Sequence, residues 1–365
     1  MKNTGLRECP FEYLKRRANG KPFPETVVQN WYIARAFVLE KLKDTAFLPG
    51  SDGHLHTIVD GDSPLMLAVT RQLALSAHYL NHEKRTVISL VTSKGADAIL
   101  GELKKEEYLG KLTDYCRYSV FGTVKNGDSY IDIELDIVGR RPEGGDGILI
   151  TEEEVMAFAD STDPALLFSI DTRKAVLAGR TYNLGSAIDD LPYESLYSAG
   201  RYNRALYTFQ YKVLQDRSAG SLIGPDWDKN PAAVVRGLSN IHCSDCFESR
   251  ELAIRRQCPG YDSLNDREKM ALWEKNDDAL SRSEHNRWVV EKLIYGFRPL
   301  NTREQTEYES LFGDERAAYA SRLKNEPVSP AHLDICSYSE LRRIDPGSLK
   351  YDSFLVQAIP LILKA

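Results

Sequence analysis

Between His54 and Leu112 two apolar, β-branched runs alternate with two helical stretches, and this pattern leaves few folds open. His54 to Val59 reads as a strand, and Asp60-Gly61-Asp62-Ser63-Pro64 follows as a turn. An apolar helix then starts at about Leu65 and runs toward Leu80. Pro64 suits its first position, with Ser63 or Asp62 as N-cap. Arg85 to Val91 is continuous in apolar and β-branched residues, as a buried parallel strand requires. Gly95 to Leu112 is helical again. A strand returning through a helix to a parallel strand is a βαβ unit. The expected class is α/β: a Rossmann-like, mostly parallel, doubly wound sheet.

The chain has 365 residues, which predicts two or three domains. Residues 1–53 form a helical lead, with Val27, Trp31, Ala34, Val38 and Leu42 at helical spacing. Residues 54–230 form the Rossmann-like domain, 231–265 a helical connector and 266–365 a second, α-rich domain. Within the first domain, Ile131, Ile133, Leu135 and Ile137 alternate with acids. That alternation reads as an edge or antiparallel strand with one wet face. Paired with Tyr118 to Val124 across Asn126-Gly127, it predicts an inserted β-hairpin over 118–138. Thr151-Glu-Glu-Glu154 opens a helix, and Leu166 to Ile170 reads as a later buried strand ending at Asp171. Six tyrosines cluster between Tyr182 and Tyr211. Asn230-Pro231 starts a helix that runs to Cys258, and 259–265 is the linker candidate.

Composition excludes some classes. Lys plus Arg is 47 and Asp plus Glu is 53, a net charge of −6. This mild acidity (pI ≈ 5.8) argues against a partner bound through a nucleic-acid backbone. No apolar run approaches the roughly 20 residues of a membrane helix. The first ten residues lack a signal-peptide core, so the expected location is cytoplasmic. Six scattered cysteines do not make a disulfide framework.

The strand-to-helix turn Asp60-Gly61-Asp62-Ser63 is the leading site of the first domain. A helix N-terminus presents free N–H groups, and Gly61 admits a ligand close to the backbone. A dinucleotide fingerprint needs three glycines where this turn has one, and two aspartates oppose phosphate. Asp60 and Asp62 also suit a cation, a ligand amine or a hydroxyl. Ser93 and Lys94, after the second strand, suit a 2′-phosphate better than a ribose diol. Asp171, Arg173 and Arg180 fall at the end of the later strand, where ligands of such sheets bind, and the arginines suit an anion. A nucleotide or dinucleotide is the cofactor class these residues admit. Alternatively they are a structural cap with surface arginines. His78 and His82 stand four residues apart without a third ligand. The set His242, Cys243, Cys246 and Cys258 lacks a second ligand pair at zinc spacing. No metal is expected.

The last hundred residues carry the most specific pattern. Ser283-Glu284-His285-Asn-Arg287-Trp288 opens a helix that ends at Tyr295-Gly296-Phe297. Next come His332-Leu333-Asp-Ile, then Tyr338-Ser-Glu-Leu341, and last Tyr351-Asp352, with Asp352 as N-cap of the closing helix. This order resembles the RyR domain, the repeated module of ryanodine receptors that also occurs in bacterial proteins. There an E-x-H-x-x-W helix leads to a G-W/F turn, an H-P-x-[LI] strand, a Y-x-x-L step and a Y-D pair. Here Glu284 and His285 are adjacent, Phe297 stands where Trp is frequent, and Leu333 stands where Pro is frequent. The resemblance covers about residues 275–365. The upstream half looks like the Rossmann-like region that bacterial proteins fuse to such a module.

The resemblance implies a peripheral recognition module, not a pore. Carried over residue by residue, it assigns ligand or partner contact to Glu284, His285, Arg287, Trp288, His332 and Tyr338. A structural role for the same residues remains open, since Trp and His are often core. The function expected is a ligand-sensing protein, not an ion channel and without assigned catalysis. A nucleotide-like anion would bind the first domain, and a ligand or partner the second. An NAD(P)-dependent oxidoreductase and an interaction scaffold are the alternatives, and a homo-oligomer is compatible with each.

Overall fold

The computed structural model describes residues 25–94, 96–105, 117–120, 123–125, 131–142, 147–168, 174, 178, 239–326 and 329–364. The α/β class is as expected. Helix α1 (Glu25–Leu42) precedes β1 (His56–Asp60), α2 (Pro64–Ser76), β2 (Thr86–Val91) and α3 (Ala96–Lys105). Strands β3 (Arg117–Val120), β4 (Thr123–Lys125), β5 (Ile133–Val138) and β6 (Ile148–Thr151) follow, then α4 (Glu152–Ser161) and the one-turn α5 (Pro164–Leu167). The sheet order is β4-β3-β5-β2-β1-β6. Every pair is parallel except β3–β4.

The hairpin differs from expectation. Strand β5 does not turn back on 118–124. It lies inside the sheet, parallel to β2 on one side and β3 on the other. The hairpin present is the shorter β3–β4 pair, and Asn126-Gly127 lies outside the described residues. The alternation in β5 has another cause. Ile133, Leu135 and Ile137 join Val59, Ile88, Leu90 and Ile150 in the core, under α1, α2, α3 and α4. Glu134 and Asp136 share the opposite face with His56, Ser89 and the exposed Leu149. Alternation therefore marks two unlike sheet faces, not a sheet edge.

The strand expected over Leu166–Ile170 is also absent where described. Asp163 accepts the Ala165 N–H at 2.8 Å and Pro164 takes the first helical position, which starts α5 instead. Leu166 is 67% exposed on that turn. Residues 169–170, the tyrosine cluster and Asn230-Pro231 lie outside the described residues.

The C-terminal region is helical: 239–245, α6 (Phe247–Gln257), α7 (Asp266–Lys275), α8 (Asp277–Ile294), α9 (Thr302–Ser310), α10 (Gly313–Lys324), α11 (Tyr338–Ile344) and α12 (Leu349–Lys364). The expected single helix to Cys258 breaks at Cys246, whose backbone turns before α6. The 259–265 stretch is packed rather than loose: Tyr261 is buried and accepts the Trp273 indole N–H at 3.0 Å. Helix α8 ends as expected at Gly296 (φ +81°), with Phe297 N–H donating to Lys292 O at 2.9 Å.

Two cores meet along α8. Its Val289, Val290, Leu293 and Ile294 belong to the core that covers the sheet. Its Ala279 and Leu280 belong to a second core with Phe247, Trp273, Leu355 and Ile359. Among the described residues no helix is long and apolar enough to cross a membrane.

Candidate functional site

The sheet changes direction at β1. From β1 the chain crosses through α2 to β2 and through α3 to β3, then returns to place β6 on the other side of β1. Ligand crevices of open α/β sheets form at such a switch, beyond the strand C-termini. Here Asp60 and Thr151 are neighbours in register at the ends of β1 and β6. Two helices start beside them. Ser63 caps α2 by accepting the Met66 N–H at 3.3 Å, and Thr151 caps α4 by accepting the Glu154 N–H at 3.2 Å. The Ser63 hydroxyl donates to Glu152 at 2.9 Å, bridging the two helix starts. Gly61, at φ +126°, turns the chain into this corner.

Charged side chains fill the rim. Arg141 is ion-paired with Asp60. Asp62 accepts the Thr92 hydroxyl and pairs with Lys94 at 3.0 Å, and Lys94 also reaches Glu102 at 2.5 Å. Burial pushes the Asp62 carboxyl up, but the Thr92 and Lys94 hydrogen bonds outweigh it and hold the group below its ordinary value. Ser93 is exposed. Of the residues expected in this site, Asp60, Gly61, Asp62, Ser63 and Lys94 are thus brought together. Asp171, Arg173 and Arg180 lie outside the described residues. Arg141, Glu152 and Thr92 complete the corner. Register could not reveal Arg141, because it arrives on the loop after β5, a strand expected elsewhere.

The four residues of the C-terminal pattern that lie on α8 divide between two helix faces. Glu284, Arg287 and Glu291 follow one face of α8 at i, i+3, i+7, and His285, Trp288 and Lys292 follow the next. The first face is sealed. Arg287 Nε and Nη2 donate to the Glu284 carboxylate at 2.8–3.1 Å, and Nη1 donates to Glu291 at 2.5 Å. Arg250 from α6 pairs with Glu284 at 2.8 Å, and Lys292 pairs with Glu291 at 2.8 Å. Glu284 and Arg287 are 0% exposed. Burial pushes both carboxyls up, but these cations prevail and hold each at about 2. Glu284 and Arg287 therefore hold helices together and meet no surface where a ligand could reach them. Arg250 and Glu291 were not singled out from sequence; the 284/287/291 spacing was the available signal.

The second face leads outward. His285 is buried, with Nε2 donating to Cys336 O at 2.8 Å and Nδ1 at 3.5 Å from Asp352. Burial lowers its pKa, but the Asp352 carboxylate outweighs that and raises it. Asp352 is not the N-cap: α12 begins at Leu349, so Asp352 sits in the first turn and turns inward to His285. The Tyr338 ring meets His285 edge-on at 5.6 Å and is itself buried. Trp288 and His332 are the half-buried members, their rings meeting edge-to-face at 4.8 Å.

His78 and the cysteines Cys243 and Cys246 are held in the interior. His78 Nδ1 faces the Asp132 carboxylate at 2.9 Å and Nε2 faces Ala74 O at 2.8 Å. Cys243 and Cys246 are sealed, and burial raises both thiols, Cys246 to about 12. Among the described residues no His, Cys, Asp and Glu cluster could hold a metal ion. No family model matches the chain, and no match is found among curated proteins or solved structures.

Proposed function

We propose that the chain is a ligand-sensing protein that binds a nucleotide-like molecule at the β1–β6 corner. In this reading the RyR-like helical region supplies a second recognition surface for a ligand or partner. The observation that carries the first part is the switch point itself, with two capped helix N-termini and mixed charges converging on it. Asp60 and Asp62 are acceptors suited to sugar hydroxyls, and Arg141 and Lys94 are cations suited to phosphate. A phosphate there draws Arg141 and Lys94 out of their present ion pairs. The acidic excess, with Glu152, Glu153 and Glu154 in the first turn of α4, favours the hydroxyl-bearing end of a ligand over a bare phosphate. The single glycine and the absent diol-binding acid after β2 give no support to a hydride-transferring dehydrogenase.

Thermal denaturation with NADPH, NADH, ADP-ribose and cyclic dinucleotides tests this. A ligand at ~100 times its Kd adds about 2.7 kcal/mol of apparent stability. The expected result is a shift with at least one of them that Asp62→Asn abolishes. No shift with any of them overturns the reading.

A further inference from the structure

We propose that Trp288 and His332 form the recognition surface of the helical region, and that it takes a planar anion whose acceptors lie in the plane of its ring, such as a heteroaromatic carboxylate. This deepens the reading of that region as a ligand surface and rests on it.

The first support is a fixed tautomer. The Asp334 backbone N–H donates to His332 Nδ1 at 3.2 Å, so Nδ1 is the acceptor and the ring proton sits on Nε2. Burial, with the positive charges of Lys324, Lys292 and His285 around the ring, holds the pKa of His332 well below its ordinary value. At neutral pH the ring is therefore a neutral donor. Its side chain is 12% exposed, and Nε2 has no hydrogen-bond partner among the described residues. The half-buried Trp288 indole, a donor only, likewise has no partner there. Neither nitrogen is among the sealed polar atoms that lack a partner, so both donors open to solvent, where a ligand can reach them.

The second support is the setting. His332 meets Trp288 edge-to-face at 4.8 Å and Phe297 at 6.2 Å, while His285 stacks on Trp288 at 6.3 Å. An added flat ring continues that arrangement. The Lys292 ammonium lies 5.3 Å from the Trp288 ring centre, fixed there by Glu291. The carboxylate beside His332 is Asp334, whose Oδ2 stands 4.0 Å from Nδ1, on the ring edge away from the open donor. Two unused N–H groups beside the Lys292 ammonium match a ligand that offers acceptors and negative charge. A cation meets repulsion from Lys292 and Lys324.

The test uses the full chain labelled with 15N at histidine and tryptophan. Three probes share one ring: nicotinate, its neutral amide nicotinamide, and the cation 1-methylnicotinamide. Signals are assigned with His332→Phe and Trp288→Phe, each of which keeps a ring and removes the donor, and backbone spectra confirm that each variant folds. Before any addition, His332 should show Nε2 protonated and Nδ1 bare at pH 7. Nicotinate should then shift both donor signals saturably, nicotinamide should bind at least tenfold more weakly, and the cation should leave them unmoved. His332→Phe should raise the nicotinate Kd about three- to tenfold, the worth of one hydrogen bond. If the amide or the cation moves these signals as strongly as nicotinate, the surface exists but the anion proposal fails. If no probe moves them, the planar-anion proposal fails. Should Trp288→Phe not fold, His332→Phe alone decides.

Discussion

Replacing Glu284 by Gln separates a structural role from a ligand contact. The carboxylate accepts Arg287 Nε at 3.0 Å and Nη2 at 2.8 Å, and lies 2.8 Å from Arg250 Nη2. All three groups are sealed from solvent. Glutamine keeps the shape but removes the charge. Among the described residues, Arg250, Arg287 and Lys292 then have Glu291 as their remaining ion-pair partner. Breaking a buried network by removing one partner costs about 3–5 kcal/mol. At about 2.1 cal/mol/K per residue, a 365-residue chain unfolding as one unit loses roughly 4–7 °C in Tm. Urea denaturation followed by circular dichroism measures the free energy, and calorimetry the Tm. The double variant Glu284→Gln, Arg250→Met should recover part of the loss, because it removes one stranded cation with its partner. The pH dependence has a defined sign. The Glu284 carboxyl is held at about 2, so its contribution is complete above its unfolded value and fades as pH falls from about 4.5 through about 2. The variant should lack that group's share of the acid transition. An unchanged urea midpoint, together with lost ligand response, would refute the argument and return Glu284 to the binding surface.

Three other outcomes follow from the same geometry. His285 has a raised pKa through Asp352, so its stabilisation is complete below the ordinary histidine value and is lost as pH rises through the folded one. His285→Asn should remove that decline from melting curves recorded between pH 5 and 9. Asp62→Asn should cost less than about 1 kcal/mol in urea, because its pair with Lys94 is partly solvated, while still abolishing any nucleotide-induced shift. Residues 266–365 expressed alone should give poorly dispersed NMR spectra, because Val289, Val290, Leu293 and Ile294 lose the core they share with α2 and the sheet; well-dispersed spectra would contradict the shared core.

The elements legible in the sequence were those whose pattern reports local geometry. The β1–α2–β2 unit followed from β-branched runs and from Ser63 and Pro64 at a helix start, and both residues sit where that chemistry puts them. Strand β5 was misplaced because alternation reports the difference between two faces, and an interior strand shows it when one face is polar. Leu166 was misread because a short apolar run does not distinguish a strand from a helical turn, and Asp163-Pro164 decided for the turn. Motif order carries no information on which face of α8 each residue occupies, and a phase of one residue separates the sealed Arg287 from the outward-leading Trp288. Arg250 was invisible for a different reason: a buried arginine looks like a surface one until its partner on another helix is known.

The two candidate surfaces stand at opposite ends of one packed path. Helix α2 begins at the β1–β6 corner with Ser63, and the segment after its end meets α8 where the Ser283 hydroxyl donates to His78 O at 3.2 Å. Helix α8 then carries Trp288. Coupling between ligands requires an element with two arrangements that both sites bias. A hinge between the two regions is a poor candidate for that element. Opening one would strip Val290, Leu293 and Ile294 from the core over the sheet, and at about 25 cal/mol per Å2 each buried side chain of this size opposes it by roughly 1.5–3 kcal/mol. Side-chain changes at the ends of α2 and α8, where Ser283 meets His78, leave that shared core intact and are the better candidate.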